Sequence, residues 1–228
     1  MKFKNLHPWD VDYKTAVAIQ ADLRGKPVLS DDGPGDIRIV AGADISCTKG
    51  DDRVYAAVVL LDAATLEVVE EARYSCRISF PYIPGLLSFR EGPPMLRAFE
   101  KLRRRPDVIL FDGQGIAHPR GFGLAAHMGL ILDLPSVGCA KTRLIGTFEE
   151  PGARRGQCSP LMRDGKQIGS VVRTKDRVKP VFISQGHRVS LERAVEIVLQ
   201  CARRYRIPEP IRRAHILVNK MRTEGYRG

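Results

Sequence analysis

The sequence predicts an α/β fold: a mixed sheet of three antiparallel strands followed by parallel strands, with helices on both faces. Three observations predict it. The stretches Ile37 to Ser46, Val54 to Asp62 and Leu66 to Ile78 are β-rich and follow one another closely. Their connections, Cys47 to Arg53 and Ala63 to Thr65, leave room only for turns, so they form an antiparallel meander. Two short apolar runs, Asp107 to Phe111 and Pro135 to Cys139, then alternate with helix-patterned segments, and helices close the chain.

Taken in order, residues 10–24 carry Val11, Ala16, Ile19 and Leu23 at helical spacing, and Gly25-Lys26-Pro27 ends that helix. Asp31-Asp32-Gly33-Pro34-Gly35 is a loop before the meander. Past Pro81–Pro84, Pro93 and Pro94 mark a helix start where proline is tolerated; Met95, Phe99 and Leu102 form its apolar stripe and Pro106 closes it. A second helix covers Phe122 to Leu132, with Gly123 and Gly129 permitting close packing. Arg163-Asp164-Gly165-Lys166 is a hairpin signal, and Val181 to Ser184 is a further strand. Ser190 caps a helix from Leu191 to Arg204, and a last helix runs from about Glu209 to Met221. This order is ribonuclease H-like, and order alone is a weak argument for function. The 228 residues suit one domain, with residues 1–36 as a helical N-terminal extension.

Lys and Arg number 37 against 26 Asp and Glu, a net charge of +11. The arginines cluster at Arg103–Arg105, Arg154-Arg155, Arg203-Arg204 with Arg206, and Arg212-Arg213, which favours a polyanionic partner over mere solubility. Cys47, Cys76, Cys139, Cys158 and Cys201 are odd in number and dispersed, which indicates neither a disulfide framework nor a CxxC zinc site. Most are expected as small buried hydrophobes in a reducing compartment. Neither a signal peptide nor an apolar run of the ~20 residues that span a bilayer is present, so a cytoplasmic protein with no membrane partner is expected.

Three carboxylates stand out by position. Asp44 lies inside the first strand, Glu91 just before the first central helix, and Asp112 at the end of the run Val108–Phe111. If the first and fourth strands run side by side in parallel, their carboxyl-terminal halves bring Asp44 and Asp112 together, with Glu91 approaching from the helix start. Singly, each has a bland account: an edge-strand acid, a helix N-terminal charge, a turn former. An acid inside a strand is costly unless compensated, and hard oxygens converging without His or Cys favour Mg²⁺ or Mn²⁺ over zinc. Together they favour a metal site for phosphodiester chemistry. Lys141 follows a buried strand, and on its own a surface lysine is its bland account.

Gly42-Ala43-Asp44-Ile45-Ser46, the block Pro81 to Pro93, Phe111-Asp112-Gly113-Gln114-Gly115 with His118-Pro119-Arg120, and Ala140-Lys141 with Leu144-Ile145-Gly146 resemble endonuclease V. The resemblance runs from about residue 37 to 185 and is loose outside it. It implies Mg²⁺-dependent nicking of DNA at the second phosphodiester 3′ to deoxyinosine, leaving 3′-hydroxyl and 5′-phosphate ends, by a DNA repair enzyme. It implies Asp44, Glu91 and Asp112 as metal ligands, Lys141 pointing towards them to hold the scissile phosphate or the attacking water, and Tyr82 as a wedge filling the space of an extruded base. Gly85, Leu87, Gly113, Gly115, Gly123 and Leu144, with His118, would form the base pocket, where backbone N–H groups meet the hypoxanthine carbonyl and reject the adenine amino group. The family places a histidine near the metal from its last helix, and His215 is the candidate; His7, His127 and His187 are read as structural. Inosine-containing RNA is the alternative substrate, and the state expected is a monomer. A ribonuclease H or junction resolvase would share the acids without needing the wedge; a non-catalytic basic module would have no use for the acids.

Overall fold

The computed structural model describes residues 1, 3–33, 35–48 and 52–227; most of the turn expected between Cys47 and Arg53, and Pro34 of the expected loop, lie outside them. Eight strands form one sheet in the order β3-β2-β1-β4-β5-β8-β7-β6. The meander is present as β1 (Ile39–Cys47), β2 (Arg53–Asp62) and β3 (Val68–Arg77). β4 (Val108–Phe111) lies parallel to β1, in register from Val40↔Val108 to Ala43↔Phe111, and β5 (Ser136–Ala140) lies parallel to β4. The last three strands, β6 (Cys158–Arg163), β7 (Lys166–Val172) and β8 (Val181–His187), return antiparallel. Asp164 and Gly165 both have positive φ, 50° and 74°, as a tight hairpin turn between β6 and β7 requires.

Side-chain alternation along the strands divides the core between two faces. Ala41, Ala43, Ile109 and Phe111 pack under α2 (Leu87–Glu100) and α3 (Leu124–Leu132). Val40, Val108, Leu110 and Val137 face α4 (Leu191–Cys201), while Tyr55, Ala57 and Val59 face α5 (Glu209–Thr223). Gly42 sets how close α5 comes: a Cβ there would sit 2.1 Å from the Pro210 carbonyl. The N-terminal segment lies on the other face. Its helix α1 (Tyr13–Leu23), capped by Asp12 accepting from the Thr15 amide, buries Ala16 against Leu86 and Phe89 and Leu23 against Phe122.

Three expectations need correction. α2 starts at Leu87, so Pro93 and Pro94 sit inside it and Glu91 belongs to its second turn instead of preceding it. The prolines forgo two backbone hydrogen bonds, while Ser88 and Phe89, ahead of them in the helix, are buried. α4 begins at the Ser190 cap as expected, with Ser190 Oγ accepting from the Arg193 amide at 3.1 Å, but it ends at Cys201, three residues early. Only Cys139 and Cys201 are buried; Cys76 is half-buried, and Cys47 and Cys158, at strand termini, are exposed.

Candidate active site

The parallel pairing of β1 and β4 juxtaposes Asp44, one residue beyond Ala43, and Asp112, one residue beyond Phe111. α2 brings Glu91 to both: the charges of Asp44 and Asp112 each act on its carboxyl. Two cationic or protonatable groups meet this cluster. The Lys141 ammonium, just past β5, is ion-paired with Asp112 Oδ2. His215 Nδ1, from α5, stands 2.8 Å from Asp44 Oδ2. The other Asp44 oxygen accepts from the Ile45 amide at 2.8 Å. Asn219 Nδ2 lies 3.1 Å from His215 Nε2 and also donates to the His215 carbonyl, while Asn219 Oδ1 accepts from Ser46 Oγ. This network places the imidazole proton on Nδ1, donating to Asp44.

The electrostatics are those of a carboxylate cluster short of positive charge. Burial first, and then the Asp112 charge, raise the Asp44 carboxyl above its ordinary range against the opposing His215 and Ile45 hydrogen bonds. Glu91 is pushed up to about 8 by burial and then by the Asp44 charge, with Arg90 opposing. Among the described residues no three His, Cys, Asp or Glu side chains already stand in a closed ligating cage; Asp112 is turned to Lys141 and Asp44 to His215. The donor set of three mutually repelling carboxylates nevertheless fits a hard divalent cation, which would relieve that repulsion.

Beside the carboxylates opens a cavity of about 350 Å³, lined by Tyr82, Gly85, Leu87, Gly113, His118, Gly123 and Leu144, with Asp112 and Lys141 on the same wall. Its size is at the lower end of the roughly 300–1,000 Å³ of small-molecule pockets. Gly85 has φ +81°, and its carbonyl accepts from Gln20 Nε2 at 3.0 Å and Arg120 Nη2 at 2.5 Å, which fixes the loop that carries Tyr82. Tyr82 itself is 69% exposed. Burial and then the Arg120 charge lower His118 to about 4, so its ring is neutral near pH 7, with Nδ1 accepting from the Arg120 amide.

The sequence profile of the endonuclease V family matches residues 21–216. The chain belongs to the endonuclease V family. The endonuclease V of Methanothrix thermoacetophila is 49% identical over 217 residues, 95% of each chain. The Streptomyces avermitilis endonuclease V structure superposes with a TM-score of 0.90 at 44% identity, over 95% of this chain and 96% of that one. A Ciona intestinalis endonuclease V, bound to a 23mer DNA containing an inosine followed by a ribo-adenosine, superposes with a TM-score of 0.84 at 27% identity over 95% of this chain and 100% of that one. The chain is therefore a nuclease, and nucleases of this family are metal-dependent. The family match reaches Ile216, well beyond the span 37–185 in which the motifs were legible, and so takes in His215.

Against this endonuclease V frame, one expected pocket residue is misplaced. Gly115 is not on the cavity wall: a Cβ there would fall 1.9 Å from the Gln185 carbonyl oxygen, and its amide donates to Ser184 Oγ at 2.8 Å. The Gly113 and Gly123 amides are likewise engaged, with the Phe111 and Gly115 carbonyls. Glycine at 115 and 123 serves backbone packing, since a Cβ at 123 would meet the Gln114 carbonyl oxygen at 2.4 Å. The wall also holds residues not expected in the pocket: Gln20, Ser88, Gln114, Thr142 and Arg143. Ser88 and Gln114 lie within the motif blocks, and Thr142 and Arg143 directly follow Lys141, which was an available signal; Gln20, on α1, had none. Several of the clustered arginines lie elsewhere. Arg103–Arg105 precede the start of β4, at the end opposite Asp112. Arg203, Arg204, Arg212 and Arg213 line a cleft with Thr65 and Leu66, just beyond the Asp62↔Ile39 pair. That pair is roughly 17 Å along β1 from Asp44.

The raised Glu91 carboxyl has a measurable consequence. Its folded value of about 8 exceeds its ordinary 4.5, so between those values the native state holds a proton that the unfolded chain releases. The stability this contributes is complete below 4.5 and is lost as pH rises through 8. In EDTA the Tm is expected to fall from pH 5 to pH 8, to fall less in Glu91→Gln, and to recover most at pH 8 on adding a divalent metal. A flat wild-type Tm over that range would show that the Glu91 carboxyl is not raised.

Proposed function

We propose that this chain is a DNA repair endonuclease that recognises deoxyinosine and hydrolyses the second phosphodiester on its 3′ side, using Mg²⁺, for which Mn²⁺ substitutes. The observation that carries the reading is the shared wall: Asp112 and Lys141 border both the acid cluster and a cavity large enough for one base. The inosine-containing DNA bound by the Ciona relative supports the substrate. A base in the cavity carries its own phosphates outward, so a neighbouring linkage reaches the acids more easily than the adjacent one.

Asp44, Glu91 and Asp112 would hold the metal. When bound, it supplies Lewis acidity that activates a water and offsets charge on the phosphodiester in transition. Lys141, already beside Asp112, holds the scissile phosphate or the attacking water. His215 donates from Nδ1 to Asp44 and fixes that carboxylate's orientation. Tyr82 fills the gap left by the extruded base, and Gly85, Leu87, Gly113, Gly123 and Leu144 enclose that base with the neutral His118. Five free thiols, two of them exposed, suit a cytoplasmic location, and the protein is read as a monomer.

End-labelled duplexes carrying one inosine, in DNA and in RNA, test the reading. The expected result is one Mg²⁺-dependent nick at the stated bond, with 3′-hydroxyl and 5′-phosphate ends, faster in DNA. A glycosidic cut, or nicks at positions unrelated to inosine, would overturn it.

A further inference from the structure

Arg206 belongs by sequence to the basic run Arg203-Arg204-Tyr205-Arg206, but it departs from its neighbours. Arg203, Arg204 and Tyr205 are exposed, whereas the Arg206 guanidinium is turned inward. Its Nη2 donates to the Lys141 carbonyl at 2.6 Å and to the Pro180 carbonyl at 2.8 Å. Its own carbonyl accepts from Thr174 Oγ1 at 2.6 Å, and Thr174 is buried. Its Nε is buried without a hydrogen-bond partner, and among the described residues no ion pair joins Arg206 to a carboxylate. Burying part of a guanidinium without a carboxylate partner is costly to the fold, and its Nε and Nη2 are committed inward instead of being offered to a polyanion.

The place it occupies gives that cost a use. Lys141 is the first residue past β5, where the ladder with β8 ends at Ala140↔Phe182, and Pro180 immediately precedes β8. The guanidinium therefore splints the two strand ends beyond their last pairing. The next carbonyl, that of Thr142, accepts from Gln114 Nε2 at 3.3 Å, so the backbone that carries Lys141 is held from two sides. A half-exposed lysine has a long, mobile side chain; fixing its peptide fixes the direction in which that side chain starts.

We propose that Arg206 is a positioning residue for strand cleavage: it holds the Lys141 backbone so that the ammonium stays over Asp112. The proposal rests on the role given above to Lys141. The test uses the full chain on an inosine duplex with Mg²⁺, measuring kcat and KM for Arg206→Met, Arg206→Lys, Thr174→Val and Lys141→Met. Because a misplacement of about 1 Å can cost ~100-fold, Arg206→Met is expected to lower kcat by about 10- to 100-fold. KM, and binding to the duplex in Ca²⁺, should stay within about twofold, since a splint contributes to neither. Arg206→Lys should recover part of kcat by restoring one donor. Thr174→Val keeps the guanidinium and the side-chain volume but frees the Arg206 peptide, so a smaller loss of kcat is expected; it also serves if Arg206→Met does not fold. Wild-type kcat in Arg206→Met or Thr174→Val beside an inactive Lys141→Met overturns the inference, as does a rise in KM that accounts for the whole loss. Wild-type kcat in Lys141→Met overturns instead the reading of Lys141 itself.

Discussion

Asp44→Asn and Asp112→Asn should each reduce nicking of an inosine duplex by about a thousandfold or more, the scale of losing several kcal/mol of charge stabilisation in the transition state. An amide keeps the size of the carboxylate and removes the anionic oxygen that a hard divalent cation requires. The two variants should differ in their side effects, because the two acids have different partners. Asp112→Asn removes the ion pair with Lys141 and so frees the ammonium. Asp44→Asn removes a carboxylate whose charge is disfavoured by burial, and thereby relieves Glu91, whose raised value owes its largest electrostatic contribution to Asp44. The metal-free Asp44→Asn protein should therefore match or exceed the wild type in Tm at pH 8. Its Glu91 should titrate nearer the ordinary carboxylate range. Binding of the duplex in Ca²⁺ should persist in both. Cleavage rates, melting curves in EDTA and a binding isotherm check the set; a wild-type rate in either variant removes that acid from the metal site.

The convergence of the acids was legible because it depends on strand geometry, which sequence reports well. An acid in the interior of one β-run and another ending a four-residue apolar run meet when the two strands are parallel neighbours, and β1 and β4 are. Glu91 was legible as a residue and misplaced as a position, because prolines at 93 and 94 suggest a helix start while the burial of Ser88 and Phe89 extends the helix past them. His215 could not be placed by local pattern. It reaches Asp44 because α5 packs onto Gly42 without an intervening side chain, a contact between positions 42 and 210 that no periodicity encodes. Arginines misled in a consistent way: clustering in sequence reports charge but not direction, so Arg206 turns inward while Arg103–Arg105 stand at the far end of the sheet. Gly115 misled for a related reason, since a glycine beside a motif aspartate serves as well for a backbone crossing as for a pocket wall.

Tyr82→Ala should separate recognition from chemistry. The ring is exposed, stands between Pro81 and Pro84, and borders the cavity, which Asp44 and Glu91 do not line. It has no part in the hydrogen bonds that organise the acids, so its removal leaves the metal site and the fold unaltered. What it removes is a preformed surface for the gap in the base stack. Extruding a base costs a few kcal/mol, and an aromatic stacked in the gap returns about 1–3 kcal/mol. Losing that return weakens binding of an inosine duplex by roughly 5- to 150-fold, since 1.4 kcal/mol is a factor of ten. Undamaged duplex, bound without extrusion, should be held as before, so the preference for inosine falls by about the same factor. Tyr82→Phe should keep most of it, because stacking needs the ring and not the hydroxyl. The residual nick should still fall at the same bond, since the cavity and the acids set that distance and the wedge does not. Competition binding with inosine and plain duplexes, and a sequencing gel of the products, read out both halves. An undiminished preference in Tyr82→Ala would show that the gap is filled by another group, and a shifted nick would show that Tyr82 sets the register between pocket and metal.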